Sequence, residues 1–100
     1  MRIYSYGNEY DVEMIKTKYM DGNLCILLVC NDGVPFGKLT ANLEEKLPQN
    51  IAYVDVNNIP DAERFIIDNK LGERTGKVKP SGFCVYPQYR FFRSKYGKSN

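Results

Sequence analysis

The sequence predicts an α+β fold, with a mostly antiparallel sheet of five to six strands and one α-helix, at about residues 58–71, packed on one face. Two observations carry this prediction. Leu24–Cys30 is a seven-residue run without a polar side chain, and turn sequences at residues 21–23 and 31–33 bound it. Such a run is typical of a central strand that is covered on both faces. Only the segment near residue 60 has apolar residues at helical spacing between end residues that suit a helix.

The first twenty residues predict a β-hairpin. Apolar and polar residues alternate in residues 2–6 and 9–20, on either side of a glycine-containing turn. The parity of the apolar positions changes between Met14 and Ile15. This change predicts a β-bulge near these two residues, because one inserted residue reverses the facing pattern.

Two further strands are expected after the central one. Residues 34–43 alternate so that Leu39, and the apolar residues two and four positions on, face the core while Thr40 faces out. Residues 44–50 are polar and contain a proline, which predicts a surface loop. The strand at residues 51–56 follows this loop.

The helix prediction depends on its two ends. Asn58 is a favourable N-cap, and Gly72 follows the last apolar residue as a typical helix stop. One broad side of the helix is apolar and is expected to lie on the sheet. This side carries Ile59, Ala62, Phe65, Ile66 and Ile67.

The C-terminal part is predicted as a loop followed by an edge strand. Residues 73–82 contain one apolar residue outside glycine and proline, Val78, which favours an exposed basic loop. Residues 83–86 resume a strand. Because Pro87 has no backbone N–H to donate, this last strand should lie at a sheet edge or be broken there. Residues 97–100 are expected to be a frayed tail.

Length and composition limit the kind of protein. One hundred residues, 43% hydrophobic and 26% charged, predict a single globular domain over residues 1–96. No apolar run approaches the roughly 18–20 residues of a membrane helix, and we expect a cytoplasmic protein without membrane contact. Cys25 and Cys30 point to opposite faces of one strand, so reduced, buried thiols are expected, Cys84 included.

Catalysis is not expected. The chain has no histidine, and histidine is the usual general base near neutral pH. Glu9, Asp11 and Glu13 alternate along one strand face, which is typical of a solvated surface. The three cysteines match no zinc-binding spacing. We therefore predict no catalytic residue, no metal site and no cofactor.

Charge is distributed unevenly along the chain. Residues 1–72 carry seven basic and eleven acidic side chains, for a net charge of −4, whereas residues 73–100 carry seven and one, for +6. Aromatic and basic side chains alternate within residues 77–96, a pattern that suits an acidic protein surface or a single-stranded nucleic acid. The candidate binding residues are Lys77, Lys79, Tyr86, Tyr89, Arg90, Phe92, Arg93, Lys95 and Tyr96.

A simpler interpretation competes with this one. In it, the aromatic and aliphatic residues of the last strand, namely Phe83, Val85, Tyr89 and Phe91, are core residues, with Arg90 and Arg93 on the wet side. An unknown protein is the expected partner and nucleic acid the alternative. An exposed edge strand would also permit a homodimer.

Several segments resemble an uncharacterised family of small proteins carried on conjugative elements and phages of Gram-positive bacteria. They are residues 23–29, 37–43, 54–67, 71–76 and 81–91, so the resemblance spans about residues 20–92. It implies a cytosolic accessory protein of a mobile genetic element, and it implies no activity or site residue. From the residues themselves we predict a non-catalytic binding module that acts through residues 77–96. By analogy with other small proteins of such elements, an inhibitor of host defence, of the anti-CRISPR or anti-restriction type, is the alternative function.

Overall fold

In the computed structural model of the protein, which describes residues 1–93, eight strands form two four-stranded antiparallel sheets beside one short helix. The first sheet has the order β1 (Arg2–Ser5), β2 (Asn8–Lys18), β3 (Leu24–Cys30) and β4 (Pro35–Lys38). The second has the order β5 (Thr40–Ala41), β6 (Ile51–Val54), β8 (Cys84–Phe91) and β7 (Gly72–Ser81), and the helix is α1 (Ala62–Asp68). The predicted α+β class is confirmed. The strands are more numerous than predicted and belong to two sheets rather than one.

The first sheet contains the predicted hairpin and the predicted central strand. β1 and β2 pair around a two-residue turn, and β3 lies between β2 and β4. The predicted bulge near Met14 and Ile15 is wrong, because β2 and β3 pair without interruption from Val12 to Lys18. Ile15 is 46% exposed on the outer face. The change in apolar parity therefore reflects an exposed apolar side chain and no inserted residue.

Leu39 is the point at which the chain passes from one sheet to the other. Its amide donates to the Ile26 carbonyl at 2.8 Å, and its own carbonyl accepts from the Asp55 amide at 2.9 Å. Leu39 is buried, as predicted, but Thr40 is buried as well. The outward orientation predicted for Thr40 is wrong, because its hydroxyl accepts the Ile26 amide at 3.2 Å and bonds the Tyr19 hydroxyl at 3.0 Å.

The hydrophobic core joins the inner faces of both sheets with the helix. Each buried aliphatic or aromatic side chain contributes about 1.5–3 kcal/mol through removal from water. The first sheet supplies Ile3, Val12, Ile26 and Leu28, the second Ala52, Val54, Tyr89 and Phe91, and the helical segment Ile59, Ala62, Phe65 and Ile66, with Leu39 at the junction.

The helix is half the predicted length. It begins after Asp61, and Asn58, the predicted N-cap, instead donates its backbone and side-chain amides to the Asp55 carboxylate at 3.1 and 2.9 Å. At the other end the chain turns at Lys70, whose φ of 55° is left-handed, before the predicted stop at Gly72. Ile67, predicted to face the sheet, is 61% exposed. A helix of seven residues is too short to bury so broad a side.

Gly72 serves a different purpose from the predicted one. It is the first residue of β7, and a Cβ placed there would lie 2.7 Å from the Arg90 carbonyl oxygen of β8. Backbone atoms cannot yield as a flexible side chain can. A residue without a side chain therefore allows β7 to pair with β8 at this point.

The C-terminal strands correct two further predictions. Residues 73–82 are not a loop, because β7 covers Gly72–Ser81 and pairs with β8 as the edge strand of the second sheet. β8 itself is interior, between β6 and β7, and continues through Pro87. Pro87 is tolerated because pairing with β6 ends at Gln88 and the β7 register shifts between Arg74 and Val78.

The three cysteines are free, with Cys25 buried as expected and Cys30 and Cys84 only partly buried. Within residues 1–93 there is no helix of sufficient length and apolarity to cross a membrane.

Candidate binding surface

The distal parts of β7 and β8 form a two-stranded extension of the second sheet. β6 pairs with β8 only between Gln88 and Arg90, so residues 78–87 pair with each other alone. The pairs run from Val78 with Pro87 to Ser81 with Cys84, and Gly82 turns the chain with a φ of 61°. We call residues 77–87 the ribbon.

One face of the ribbon is apolar and uncovered. Strand alternation and the observed register place Val78, Pro80 and Val85 on this face, and Phe83 lies at the tip. Val78 is 52% exposed, Val85 is 55% exposed, and the Phe83 side chain is fully exposed. The interpretation of Phe83 and Val85 as core residues is therefore wrong. Phe91, by contrast, is a core residue, as that interpretation predicted.

The opposite face of the ribbon carries the predicted candidates Lys79 and Tyr86, which pair directly across the strands. The Lys79 ammonium lies 3.0 Å from the Glu45 carboxylate, which also accepts the Tyr53 hydroxyl at 2.9 Å. Tyr86 is half-buried, and burial raises its pKa. Lys77 is exposed and forms no ion pair with any other residue in the range 1–93.

Tyr89, another predicted binding residue, is fully buried in the core. Its hydroxyl donates to the Glu63 carboxylate at 2.6 Å, and Arg74 donates to the same carboxylate at 2.7 and 2.9 Å. Burial, followed by the bond to Glu63, raises the pKa of Tyr89 to about 12. The bond from Arg74 lowers the pKa of Glu63. Tyr89 thus ties the second sheet to the helix and is not available to a partner.

The remaining candidates lie at the far end of β8. Arg90 pairs with the Glu73 carboxylate and lies 5.6 Å from the centre of the Phe92 ring. Phe92 and Arg93 are exposed, whereas Lys95 and Tyr96 lie outside the described residues. Six residues of strand between Tyr86 and Phe92 correspond to about 20 Å, so the predicted candidates do not form one continuous site.

The sequence did not reveal that the apolar residues of the ribbon are exposed. Val78, Phe83 and Val85 flank a serine-glycine turn, and two β-like runs around such a turn are a hairpin signal. The basic composition of residues 73–82 obscured this signal. The exposed apolar surface therefore lies on the ribbon and not at the end of β8.

A cavity of about 670 Å³ lies at the junction of the two sheets. Two pairs of its polar residues are hydrogen-bonded to each other: the Tyr19 hydroxyl bonds the Thr40 hydroxyl, and the Asp55 carboxylate accepts from Asn58. Residues 1–93 contain no cluster of three or more cysteine and carboxylate side chains that could hold a metal ion.

Residues 11–99 match the model of one protein family, described as Domain of unknown function (DUF4313). The chain belongs to the DUF4313 family. The matched region begins inside β2, leaves out β1, and includes β3 to β8, the helix and the ribbon, so the surface described above lies within the DUF4313 domain. No curated protein and no solved structure matches the chain.

Proposed function

We propose that this DUF4313 chain is a non-catalytic protein-binding module whose contact surface is the apolar face of the ribbon. One observation carries the proposal: Val78, Phe83 and Val85 are exposed together on a hairpin that extends beyond the sheet. Contiguous exposed apolar side chains are costly in water and are typical of protein contact sites. A β-hairpin also holds them in fixed positions, which lowers the entropy lost on binding.

The charges around the ribbon favour a protein over a nucleic acid. Arg74, Lys79 and Arg90 each face a carboxylate, and those carboxylates would repel a phosphate backbone. Lys77 remains as an exposed cation at the start of the ribbon, on the side of Glu45, whose pKa it helps to lower. We therefore expect a partner surface with an apolar pocket for Phe83 and an acidic residue at its rim.

The proposal that the module is not an enzyme is supported by the junction cavity. Asp55 is the carboxylate that lines this cavity, and both of its oxygens accept hydrogen bonds from Asn58. Asp55 is also buried, whereas a general base must lie within reach of the proton that it abstracts. The proposed setting, a cytoplasmic accessory protein of a mobile element that binds or blocks a host protein, rests on the resemblance of the sequence described above.

The test begins with partner capture by the immobilised full-length chain, followed by affinity measurement with the purified partner. We expect Phe83→Ser to weaken binding by about 2 kcal/mol or more, the loss typical of an apolar anchor in a contact site. Stability should be unchanged because the Phe83 side chain lies outside the core. Met20→Ser is the matched control, since Met20 is equally exposed but lies at the turn between β2 and β3.

Three outcomes would overturn the proposal. In the first, Phe83→Ser and Met20→Ser bind the partner equally well. In the second, the chain binds single-stranded oligonucleotide with steep salt dependence and Phe83→Ser does not affect this binding. In the third, sedimentation shows that the wild type self-associates and that Phe83→Ser is monomeric, which would make a second copy the occupant of the ribbon face.

A further inference from the structure

A second surface, independent of the ribbon, lies between the first sheet and the loop that precedes β6. It is a groove of about 520 Å³ whose nine lining residues include Lys16, Lys18 and Lys46 and no acidic residue. Leu24 and Leu47 supply apolar wall. We call it the lysine groove.

The uninterrupted register of β2 brings two of these lysines into the groove. Side chains two residues apart share a strand face, so Lys16 and Lys18 follow the buried Val12 on the core-facing side of β2. In β3 they pair with Ile26 and Leu24. Where β2 extends past the hydrophobic core, its inner face therefore carries positively charged side chains.

Main-chain carbonyls position two of the three ammonium groups. Lys16 donates to the Phe92 carbonyl at 2.9 Å, and Lys46 donates to the Asp21 carbonyl at 2.6 Å. Gly22 makes room for Lys46, because a Cβ at this residue would lie 2.8 Å from the ammonium nitrogen. A carbonyl is a neutral acceptor, so these bonds fix the ammonium groups without neutralising their charge.

The three lysines also lack a carboxylate partner within residues 1–93. Asp21 is close to Lys46, but its carboxylate accepts from the Asn23 amide at 2.9 Å and from the Asn42 side chain at 3.0 Å. Partial burial of the Lys16 ammonium lowers its pKa. An anion in the groove would offset the cost of this burial.

We propose that the lysine groove binds a phosphate-bearing small molecule of about nucleotide size. The three ammonium groups contact the phosphate oxygens, and Leu24 and Leu47 contact the organic part of the ligand. The volume of 520 Å³ falls within the range of about 300–1,000 Å³ that is usual for small-molecule sites. The groove and the ribbon share no residue, so this proposal and the proposed protein contact can fail separately.

The test uses pyrophosphate and ADP as probes, titrated into the full-length chain at low salt and followed by calorimetry and backbone amide NMR shifts. We expect saturable shifts at the amides of Gly22, Lys46, Leu47, Gln49 and Asn50. Lys18→Gln and Lys46→Gln should each weaken binding about tenfold or more, as expected for a lost hydrogen bond between two charged groups. Lys70→Gln is the matched control, because Lys70 is exposed and lies outside the groove.

The outcomes separate the sources of binding. Binding of both probes supports a phosphate site, and tighter binding of ADP additionally places the organic part on the leucines. Equal weakening by Lys70→Gln would show general charge attraction and overturn the proposal. It would also fall if neither probe shifts the groove amides, or if only a single-stranded oligonucleotide binds.

Discussion

Replacement of Tyr89 by phenylalanine removes one buried hydroxyl and leaves the aromatic ring packed in the core. The lost bond is the 2.6 Å donation to the Glu63 carboxylate. A hydrogen bond to a charged group contributes about 1.5–3 kcal/mol. Because Arg74 still donates twice to Glu63, the carboxylate stays paired, and we expect the lower end of this range, about 1.5 kcal/mol.

This loss can be measured by urea unfolding, in which the midpoint should fall while the slope stays unchanged. In a domain of this size it corresponds to a decrease in melting temperature of about 6–12 °C. Tyr6→Phe is the control, because Tyr6 is 80% exposed. If Tyr89→Phe matched Tyr6→Phe in stability, or weakened partner binding with stability intact, the assignment of Tyr89 to the core would be refuted.

Three further predictions concern stability. The pKa of Glu63 is lowered in the folded state, so its carboxylate adds stability above the ordinary glutamate pKa and loses this effect as pH falls through the folded value. The difference in unfolding free energy between wild type and Glu63→Gln should therefore shrink in acid, and a difference independent of pH would contradict this. Gly72→Ala should cost about 1–3 kcal/mol in chemical denaturation through its clash with the β8 backbone. Gly37→Ala, whose Cβ meets one side-chain atom at 3.6 Å, should be nearly neutral. If the two substitutions lowered the unfolding free energy equally, the clash at Gly72 could not be the cause. Thr40→Val should lower the unfolding free energy by about 1–3 kcal/mol, because it leaves the Ile26 amide unpaired. If that amide kept its protection from hydrogen exchange in the variant, this explanation would be wrong.

The sequence predicted best the elements whose side chains are buried. β3 has the bounds Leu24–Cys30 that its apolar run predicts, because only a strand with neighbours on both sides can bury so many apolar residues. Leu39, Phe65 and Ile66 were also placed correctly, since alternation and helical spacing reflect the direction of the core.

The sequence predicted worst the elements that are exposed on both faces. β7 is the edge strand of its sheet and most of its residues are exposed, so it lacks the alternation that marks a strand. The helix ends at Asp68 for a tertiary reason, because the chain must turn at Lys70 and reach Gly72 in position to pair with β8. Neither cause is visible in local residue preferences.

The candidate site was partly predictable for a related reason. The basic and aromatic composition of residues 77–96 correctly drew attention to β8, but composition cannot separate Tyr86 from Tyr89. The pairing register decides that Tyr89 faces the helix while Tyr86 faces away from it. For the same reason the false bulge hid Lys16 and Lys18, which an uninterrupted β2 directs toward the interior.

The outer edge of β7 has a consequence for how copies of the chain meet in solution. This strand contains two lysines, a proline that has no amide hydrogen, and a left-handed Gly76 at the register shift. Each of these makes it harder for a foreign strand to add its own ladder of backbone bonds. At high concentration we therefore expect the chain to resist fibre-like stacking, and any association through β7 to depend on shape-matched side chains.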